Sequence, residues 1–222
     1  DHLGPEVVHK RLPGITELSK TFAHVDPAVE PIPVVPTCHY MMGGIPTNIN
    51  GQVVTLKEGQ DSVVNGLYAA GEVACVSVHG SNRLGGNSLL DLVVFGRAAG
   101  IYIEESLKQG SSLSPSSKED IDQALIRLNK LNASKEGKET AELKKQMQDN
   151  MQSNFGVFRR EDLMEKGIED LGNSREAVEN MYLSDKSASF NTARIEALEM
   201  QNLFEVAEAT AITANERKES RG

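Results

Sequence analysis

In the second half of the chain, apolar residues recur with the period of an α-helix. Leu143, Met147, Met151, Phe155 and Phe158 follow one another at spacings of four and three residues, which places them on one face of a predicted amphipathic helix. Further stripes with helical spacing are Ile121/Leu125/Leu128, Met164/Ile168/Leu171, and, within residues 190–215, Ile195/Leu198/Val206 and Phe204/Ala207/Ala211. Since Met and Phe at this spacing are typical of a bundle core, the second half is predicted to be an α-helical bundle.

The first half has shorter periodic segments, separated by Gly and Pro. A helix is predicted around residues 5–22, and extended backbone is predicted over residues 30–36, where three prolines exclude a helix. Residues 66–72 predict a short buried strand that ends in Gly and a carboxylate. A longer helix is predicted from residue 89 to about 108, with Asn87 or Ser88 as its cap. This mixture favours an α/β or α+β fold for the first half.

Amino-acid composition also changes between the two halves, near residue 110. Residues 1–110 hold 14 of the 19 Gly, 7 of the 8 Pro and 18 charged residues, whereas residues 111–222 hold 37 charged residues. Gly and Pro punctuate turns around short strands, and many charges with few helix breakers suit surface-exposed helices. The polar loop 110–117 separates the two parts, and Ser116, three residues before Glu119, predicts a capping box that opens the next helix.

Charge and cysteine content exclude several classes of protein. The formal net charge is −9, with no basic stripe to neutralise phosphates, which argues against nucleic acid as a partner. The longest apolar run, residues 89–95, is far shorter than the ~20 residues of a membrane span. Cys38 and Cys75 have neither disulfide-framework nor zinc spacing, which indicates a reducing compartment. Because the chain opens on Asp1, without Met or a signal peptide, we expect it to be a piece of a longer protein.

The segment VHGSNRLGGNSLLD, residues 78–91, carries the most specific chemical signal. It places a single Arg83 among glycines, directly before a predicted helix. A guanidinium offers paired donors in a rigid plane, and a helix N-terminus favours an anion, so the segment predicts a carboxylate or phosphate site. The alternative for Arg83 is a surface salt bridge.

Two other positions predict ligand contacts less specifically. His39 is followed by Tyr40 and a Gly pair, which suits a side chain that reaches a ligand and a backbone that approaches it closely. Its alternative is a structural histidine in a turn. Glu72, after the predicted strand, is placed to accept hydrogen bonds from sugar or ribityl hydroxyls. Its alternatives are a helix N-cap or a surface charge.

A metal site or a thiol nucleophile is not indicated. His39, His79, Cys38 and Cys75 have suitable side chains, but no pair of them has a recognised metal-ligand spacing. Cys38 and His39 are adjacent, and neighbouring side chains on an extended chain point to opposite sides. We therefore predict no metal ligand.

Three motifs in order resemble one family. PTCHYMMGGIPT (36–47), GLYAAGE (66–72) and HGSNRLGGNSLLDLVVFGR (79–97) closely resemble the flavoprotein subunits of bacterial succinate dehydrogenases, in the succinate dehydrogenase/fumarate reductase flavoprotein family. FNTARIEALEMQNL (190–203) and RKESRG (217–222) are similar to the helical domain of that family. The resemblance covers essentially the whole chain.

The resemblance implies roles for six residues. In the family, the His of the first motif and the Arg of the third hold the carboxylates of succinate or fumarate, which implies His39 and Arg83 as substrate-binding residues. The residues implied to bind FAD are Glu72, Asn87, Ser88 and Leu89. The helix start near Ser88 suits the negative charge that develops on the reduced flavin ring. The family's proton-shuttle Arg, its flavin-linking His and its GxGxxG motif are expected before Asp1, so no catalytic residue is assigned and the chain alone is expected to be inactive.

The resemblance further implies an activity and an organisation. The activity is oxidation of succinate to fumarate by hydride transfer to FAD, with electrons leaving through an iron–sulfur subunit to quinone. Membrane-anchor subunits would hold the complex at the cytoplasmic face of the bacterial inner membrane. Residues 1–32 would end a substrate-capping region, residues 33–110 would belong to the FAD-binding domain, and residues 111–222 would form the helical domain.

Two alternatives remain open at this point. A fumarate reductase or L-aspartate oxidase belongs to the same superfamily, although the latter tends to have Cys in place of a Met of the first motif. An isolated segment acting only as a non-catalytic interaction module belongs to another class. Whether the purified protein is yellow distinguishes the enzyme from the module.

Overall fold

The computed structural model describes residues 2–35, 39–108, 110 and 115–219 of the chain. These residues divide into two compact units, with the boundary between positions 37 and 38. The second unit holds both the strands of the first half and the helices of the second half. No helix of the described residues is long and apolar enough to cross a membrane.

The first unit is helical, but the single helix predicted over residues 5–22 is wrong. Helix α1 (Pro5–Arg11) stops before helix α2 (Pro13–Leu18), and a π-helical turn, Ser19–Ala23, follows. Leu12 between the two helices has φ −127° and ψ 49°, which is not helical. The cause is Pro13, because a proline disfavours the α conformation at the residue before it and has no N–H for the helical ladder.

Asp26 joins the elements of the first unit. Its carboxylate accepts hydrogen bonds from Lys20 Nζ at 2.7 Å, His9 Nε2 at 3.1 Å and the Ala28 N–H at 3.0 Å. The hydrogen bond from Lys20, with those from Ala28 and His9, holds the pKa of Asp26 well below its usual range. One partly buried carboxylate therefore connects α1, the π-helical turn and the loop that follows.

The strands of the second unit form two small pairs. Strand β1 (Ile45–Pro46) pairs in parallel with β4 (Ala74–Cys75), and β2 (Gln52–Lys57) pairs antiparallel with β3 (Gln60–Tyr68). The strand predicted over residues 66–72 therefore begins earlier and ends at Tyr68, and a 3₁₀ turn, Gly71–Val73, follows it. It is not buried as predicted, since Leu67 is 51% exposed. The predicted long helix is present as α3 (Asn87–Lys108).

Four helices make up the second half. They are α4 (Lys118–Ala133), α5 (Thr140–Phe155), α6 (Glu161–Glu179) and α7 (Thr192–Glu216), and the last three pack against one another. The predicted stripes on α5 and α6, and the stripe Phe204/Ala207/Ala211 on α7, form this core. Its most buried members include Leu131, Leu143, Met181, Leu183, Met200 and Phe204.

Four details of the predicted helices are wrong. On α7, Ile195 and Val206 of one predicted stripe are 55% and 54% exposed, so only the other stripe is buried in the core. On α4, Ile121 and Leu125 are each 49% exposed, because this helix buries Leu131 near its C-terminal end and not the predicted stripe. The helix is capped by Ser117, one residue after the predicted Ser116, and the Ser117 hydroxyl accepts from the Asp120 N–H at 3.0 Å. Phe158 is 86% exposed, since α5 ends before it.

The two glycines inside α6 allow a test of core packing. A Cβ at Gly167 would overlap the Phe155 ring and lie 2.8 Å from Asn154 Cβ, whereas a Cβ at Gly172 would meet no atom within 4 Å. Ala is the better helix former, but overpacking a core costs about 1–3 kcal/mol.

We predict that Gly167→Ala lowers the free energy of unfolding by about 1–2 kcal/mol. The matched variant Gly172→Ala is predicted to raise it by about 0.5–1 kcal/mol, because the same substitution there adds helix propensity without a clash. Urea unfolding of the chain followed by circular dichroism measures both. Equal shifts of the two variants in one direction would contradict the packing of α5 against α6.

Candidate functional site

The first motif leads directly into strand β1. His39 is exposed, and Tyr40 beside it is partly buried. Gly44 has φ +120°, and a Cβ on it would overlap the Val73 carbonyl oxygen. The Gly pair was expected to let the backbone approach a ligand, but at Gly44 the close approach is to another backbone segment of the protein. Glycine here allows β1 to lie against the 3₁₀ turn and β4.

Glu72 links the first two motifs. It lies in the 3₁₀ turn after β3, and its Oε1 accepts a hydrogen bond from the Met41 N–H at 3.0 Å. Gly71 before it has φ +80°, and a Cβ there would overlap Leu92 on α3. This bond uses one of the two oxygens of an exposed carboxylate. The side chain predicted to bind the cofactor thus also holds the loop that follows His39.

Arg83 lies over the ring of Tyr40. The guanidinium Cζ is 4.9 Å from the ring centroid, which is a cation–π contact. Arg83 Nε and the Tyr40 hydroxyl are buried and have no hydrogen-bond partner among the described residues. No ion pair joins Arg83 to a carboxylate of those residues, so the surface salt bridge considered as an alternative is not formed. A buried guanidinium nitrogen without a partner is a donor available to a ligand.

A hydrogen bond closes the loop that carries Arg83. His79 Nε2 lies 3.1 Å from Asp91 Oδ2, and the side chains are 14% and 6% exposed. His79 precedes the glycine-rich loop and Asp91 lies in the second turn of α3, so the bond joins the start of the loop to the N-terminal part of the helix. Sequence reasoning missed Asp91; the available signal was a lone carboxylate inside an apolar run. His79 is thus engaged by Asp91, and the described residues contain no cluster of His, Cys, Asp and Glu suited to a metal.

Backbone donors at the N-terminus of α3 differ in whether they have a partner among the described residues. The Asn87 N–H donates to the Leu84 carbonyl at 3.0 Å and the Leu89 N–H to the Gly86 carbonyl at 3.1 Å. Ser88 is buried, and its N–H has no hydrogen bond to another described residue. Of the three predicted flavin-binding positions on this helix, Ser88 therefore has the free N–H in this structure.

The side chains around Tyr40 enclose a small cavity. It is lined by residues 40–43 and 74–79 and by Asp91, and its volume is about 20 Å³, enough for one water molecule. Burial raises the pKa of the Tyr40 hydroxyl, and the carboxylates of Asp91 and Glu72 add to this rise while Arg83 opposes it. The three motifs therefore meet at Tyr40, which the sequence analysis assigned no role.

Comparison with known proteins finds two family matches and close relatives along the chain. Residues 1–89 match the family described as FAD binding domain, and residues 144–222 match the family described as fumarate reductase flavoprotein C-term. The chain is 54% identical over its whole length to a succinate dehydrogenase flavoprotein subunit of Coxiella burnetii, of which it covers 38%. It is 49% identical to that of Rickettsia bellii, of which it covers 37%.

Solved structures of similar fold belong to the same group of enzymes. The FrdA chain of E. coli quinol fumarate reductase matches with a TM-score of 0.85 and 39% identity, covering 100% of this chain and 36% of that one. A chain of the Mycobacterium smegmatis Sdh1 complex matches with a TM-score of 0.81 and 31% identity, covering 99% of this chain and 35% of that one. The chain thus spans a little over a third of the length of these proteins.

The fold and the FAD-binding match of residues 1–89 define the class of this protein. It is a flavoprotein in which part of an FAD-binding domain is followed by helices. Within this class, the chain belongs to the succinate dehydrogenase/fumarate reductase flavoprotein family. The predicted resemblance, the fold class and FAD as the cofactor are thereby confirmed.

The bond between His79 and Asp91 can be tested through stability. We predict that Asp91→Ala lowers the free energy of unfolding by about 1.5–3 kcal/mol, because it removes a buried hydrogen bond to a charged group. Asp149, which pairs with Lys145 on the exposed face of α5, provides the control. Asp149→Ala should change the free energy of unfolding by less than about 0.5 kcal/mol. Urea unfolding measures both, and equal values would show that the loop does not depend on this bond.

Proposed function

We propose that this chain forms part of an FAD-containing subunit that oxidises succinate to fumarate, in which Arg83 and His39 bind the two substrate carboxylates. The observation that carries the proposal is the buried Arg83 Nε without a protein partner, in a loop just before the α3 N-terminus. A buried dicarboxylate is tolerated only when oriented donors compensate the loss of water. Arg83 supplies such donors in a fixed plane, and the exposed His39 side chain is free to contribute another.

The same part of the molecule suits FAD. The unpartnered Ser88 N–H and the partial positive charge of the α3 N-terminus favour the negative charge of a reduced flavin ring. Asn87 and Leu89 extend this surface, and the Glu72 carboxylate would accept hydrogen bonds from cofactor hydroxyls. When bound, FAD supplies the acceptor for the hydride that leaves a substrate C–H bond. The proton lost from the adjacent carbon needs a base, and none of the residues named here is proposed for that role.

We further propose that electrons leave the subunit through an iron–sulfur partner to a quinone, in a complex held at the cytoplasmic face of the bacterial inner membrane by anchor subunits. The solved relatives support partner subunits in general, since one is a chain of the Mycobacterium smegmatis Sdh1 complex and another belongs to a quinol-fumarate reductase with menaquinol molecules. In this proposal residues 1–32 end a substrate-capping region, residues 33–110 carry the site and residues 111–222 form a helical domain.

A fumarate reductase is the second candidate. Its support is the TM-score of 0.85 to two quinol fumarate reductase structures and the fumarate reductase name of the family matched by residues 144–222. Succinate and fumarate are both four-carbon dicarboxylates, so His39 and Arg83 serve either direction of the reaction. Comparing the rates of succinate oxidation and fumarate reduction by the same preparation decides between the candidates.

Substitution of Arg83 tests the proposed substrate site. We predict that Arg83→Lys in the full-length flavoprotein retains FAD but loses at least ~100-fold in kcat/KM for succinate, because a point donor on a flexible stem does not orient the substrate. His39→Ala should lose less, since imidazole is a weaker carboxylate partner than guanidinium. Steady-state oxidation of succinate with an artificial electron acceptor measures this, with flavin quantified in the same sample.

The control is Arg97→Lys, which makes the same exchange on an exposed part of α3 and should leave kcat/KM unchanged. If the flavin-replete Arg83→Lys variant keeps the original kcat/KM, Arg83 does not bind the substrate and the proposed function loses its main support.

Substitution of Glu72 tests the proposed cofactor contact. Glu72→Ala removes both the proposed cofactor hydrogen bond and the bond from the Met41 N–H, whereas Glu72→Gln keeps an acceptor for Met41. We predict that flavin content falls in both variants, more in Glu72→Ala, while KM for succinate in the flavin-loaded fraction changes little. Full flavin content with a raised KM would mean that Glu72 belongs to the substrate site.

A further inference from the structure

Tyr40 occupies the point where the proposed substrate and cofactor residues meet. It directly follows His39, and the next residue, Met41, donates its N–H to Glu72. Its ring lies under Arg83, and it lines the same cavity as His79 and Asp91.

Arg83 needs an orienting contact that its own loop does not supply. The loop around it contains Gly80, Gly85 and Gly86, which give the backbone unusual freedom. Its main-chain N–H bonds to Asn82 Oδ1 at 2.9 Å, which fixes the backbone and not the guanidinium. Among the described residues the guanidinium has its contact with the Tyr40 ring, while Nε remains without a partner. The ring is therefore the surface that sets where the donor plane lies.

We propose that Tyr40 is a positioning residue for Arg83, whose ring face orients the guanidinium for a dicarboxylate. The proposal rests on the proposed substrate-binding role of Arg83. An aromatic face attracts a cation through its quadrupole and also blocks one side of the guanidinium plane, leaving the in-plane N–H groups for the ligand. The contact is partly buried, where water competes less with it.

Two substitutions of Tyr40 separate the role of its ring from that of its hydroxyl. The hydroxyl is buried without a partner among the described residues, so it does not hold Arg83. Phe keeps the ring face and removes the hydroxyl, whereas Leu keeps apolar volume and removes the quadrupole. The positioning role therefore predicts that Phe is tolerated and Leu is not.

The experiment measures binding of malonate, a dicarboxylate that cannot be dehydrogenated to an alkene, to the FAD-loaded full-length flavoprotein. The Kd comes from the change in flavin absorption on titration. Tyr40→Leu should raise this Kd about tenfold, and Tyr40→Phe should keep it within about threefold. The control Tyr182→Leu removes another cation–π contact, 5.6 Å from Lys186 Nζ, and should leave the Kd unchanged.

A double-mutant cycle tests whether Tyr40 acts through Arg83. In the Arg83→Lys background, Tyr40→Leu should raise the malonate Kd by less than about threefold, because the planar cation that the ring orients is gone. A full tenfold loss in that background would show that Tyr40 acts independently of Arg83 and would overturn the proposal. An equal rise of the malonate Kd in Tyr40→Phe would also overturn the proposal, because it would assign the effect to the hydroxyl.

The failures of the two proposals are distinguishable. If Arg83→Lys itself leaves the malonate Kd unchanged, the proposed role of Arg83 fails, and the role of Tyr40 fails with it. If Arg83→Lys weakens malonate and Tyr40→Leu does not, the positioning role alone fails. Should Tyr40→Leu lose FAD, Tyr40→Met, which also fills the space without a ring face, replaces it. Loss of FAD in both, with Tyr40→Phe intact, would show a structural role and contradict the proposal.

Discussion

The hydrogen bond between His79 and Asp91 is the contact on which the arrangement of the site depends. It joins the start of a glycine-rich loop to the second turn of α3, so the loop is held against the N-terminal part of the helix. A loop rich in glycine loses much conformational entropy when it is ordered, and a buried bond at its two ends offsets part of that cost. The bond thus ties the loop that carries Arg83 to the helix that begins with Asn87 and Ser88.

A second set of contacts fixes the opposite side of the site. Glu72 accepts the Met41 N–H, and β1 pairs with β4 just beyond it, where Gly44 lets the two backbones approach. These contacts are polar or backbone-mediated, and the site has little apolar core of its own. In the second half, by contrast, α5, α6 and α7 bury a continuous apolar cluster. The site therefore depends on a few specific bonds, while the helical part depends on distributed packing.

Much of the helical part could be predicted from the sequence, because periodicity reports burial where a helix packs on two neighbours. The stripes on α5 and α6 are buried as their spacing indicated. Apolar periodicity does not predict burial where local sequence and tertiary packing disagree. Ile121 and Leu125 have helical spacing but lie exposed on α4, and Pro13 divides a helix whose apolar pattern runs through it. Spacing shows which residues share a face, and only the fold shows whether that face is covered.

The residues of the candidate site that could be predicted from the sequence are those in glycine-rich motifs. Arg83 and His39 stand beside glycines whose backbone freedom has a visible purpose, and a resemblance assigned their roles. Tyr40 belongs to the same motif as His39 but was assigned no role, and the one signal for Asp91 was a lone carboxylate inside an apolar run. Their importance comes from partners 43 and 12 residues away, Arg83 and His79, which only the folded chain brings together. The residues proposed to bind ligands were thus assigned from the sequence, whereas those proposed to orient them were not, because orientation is a property of the tertiary structure.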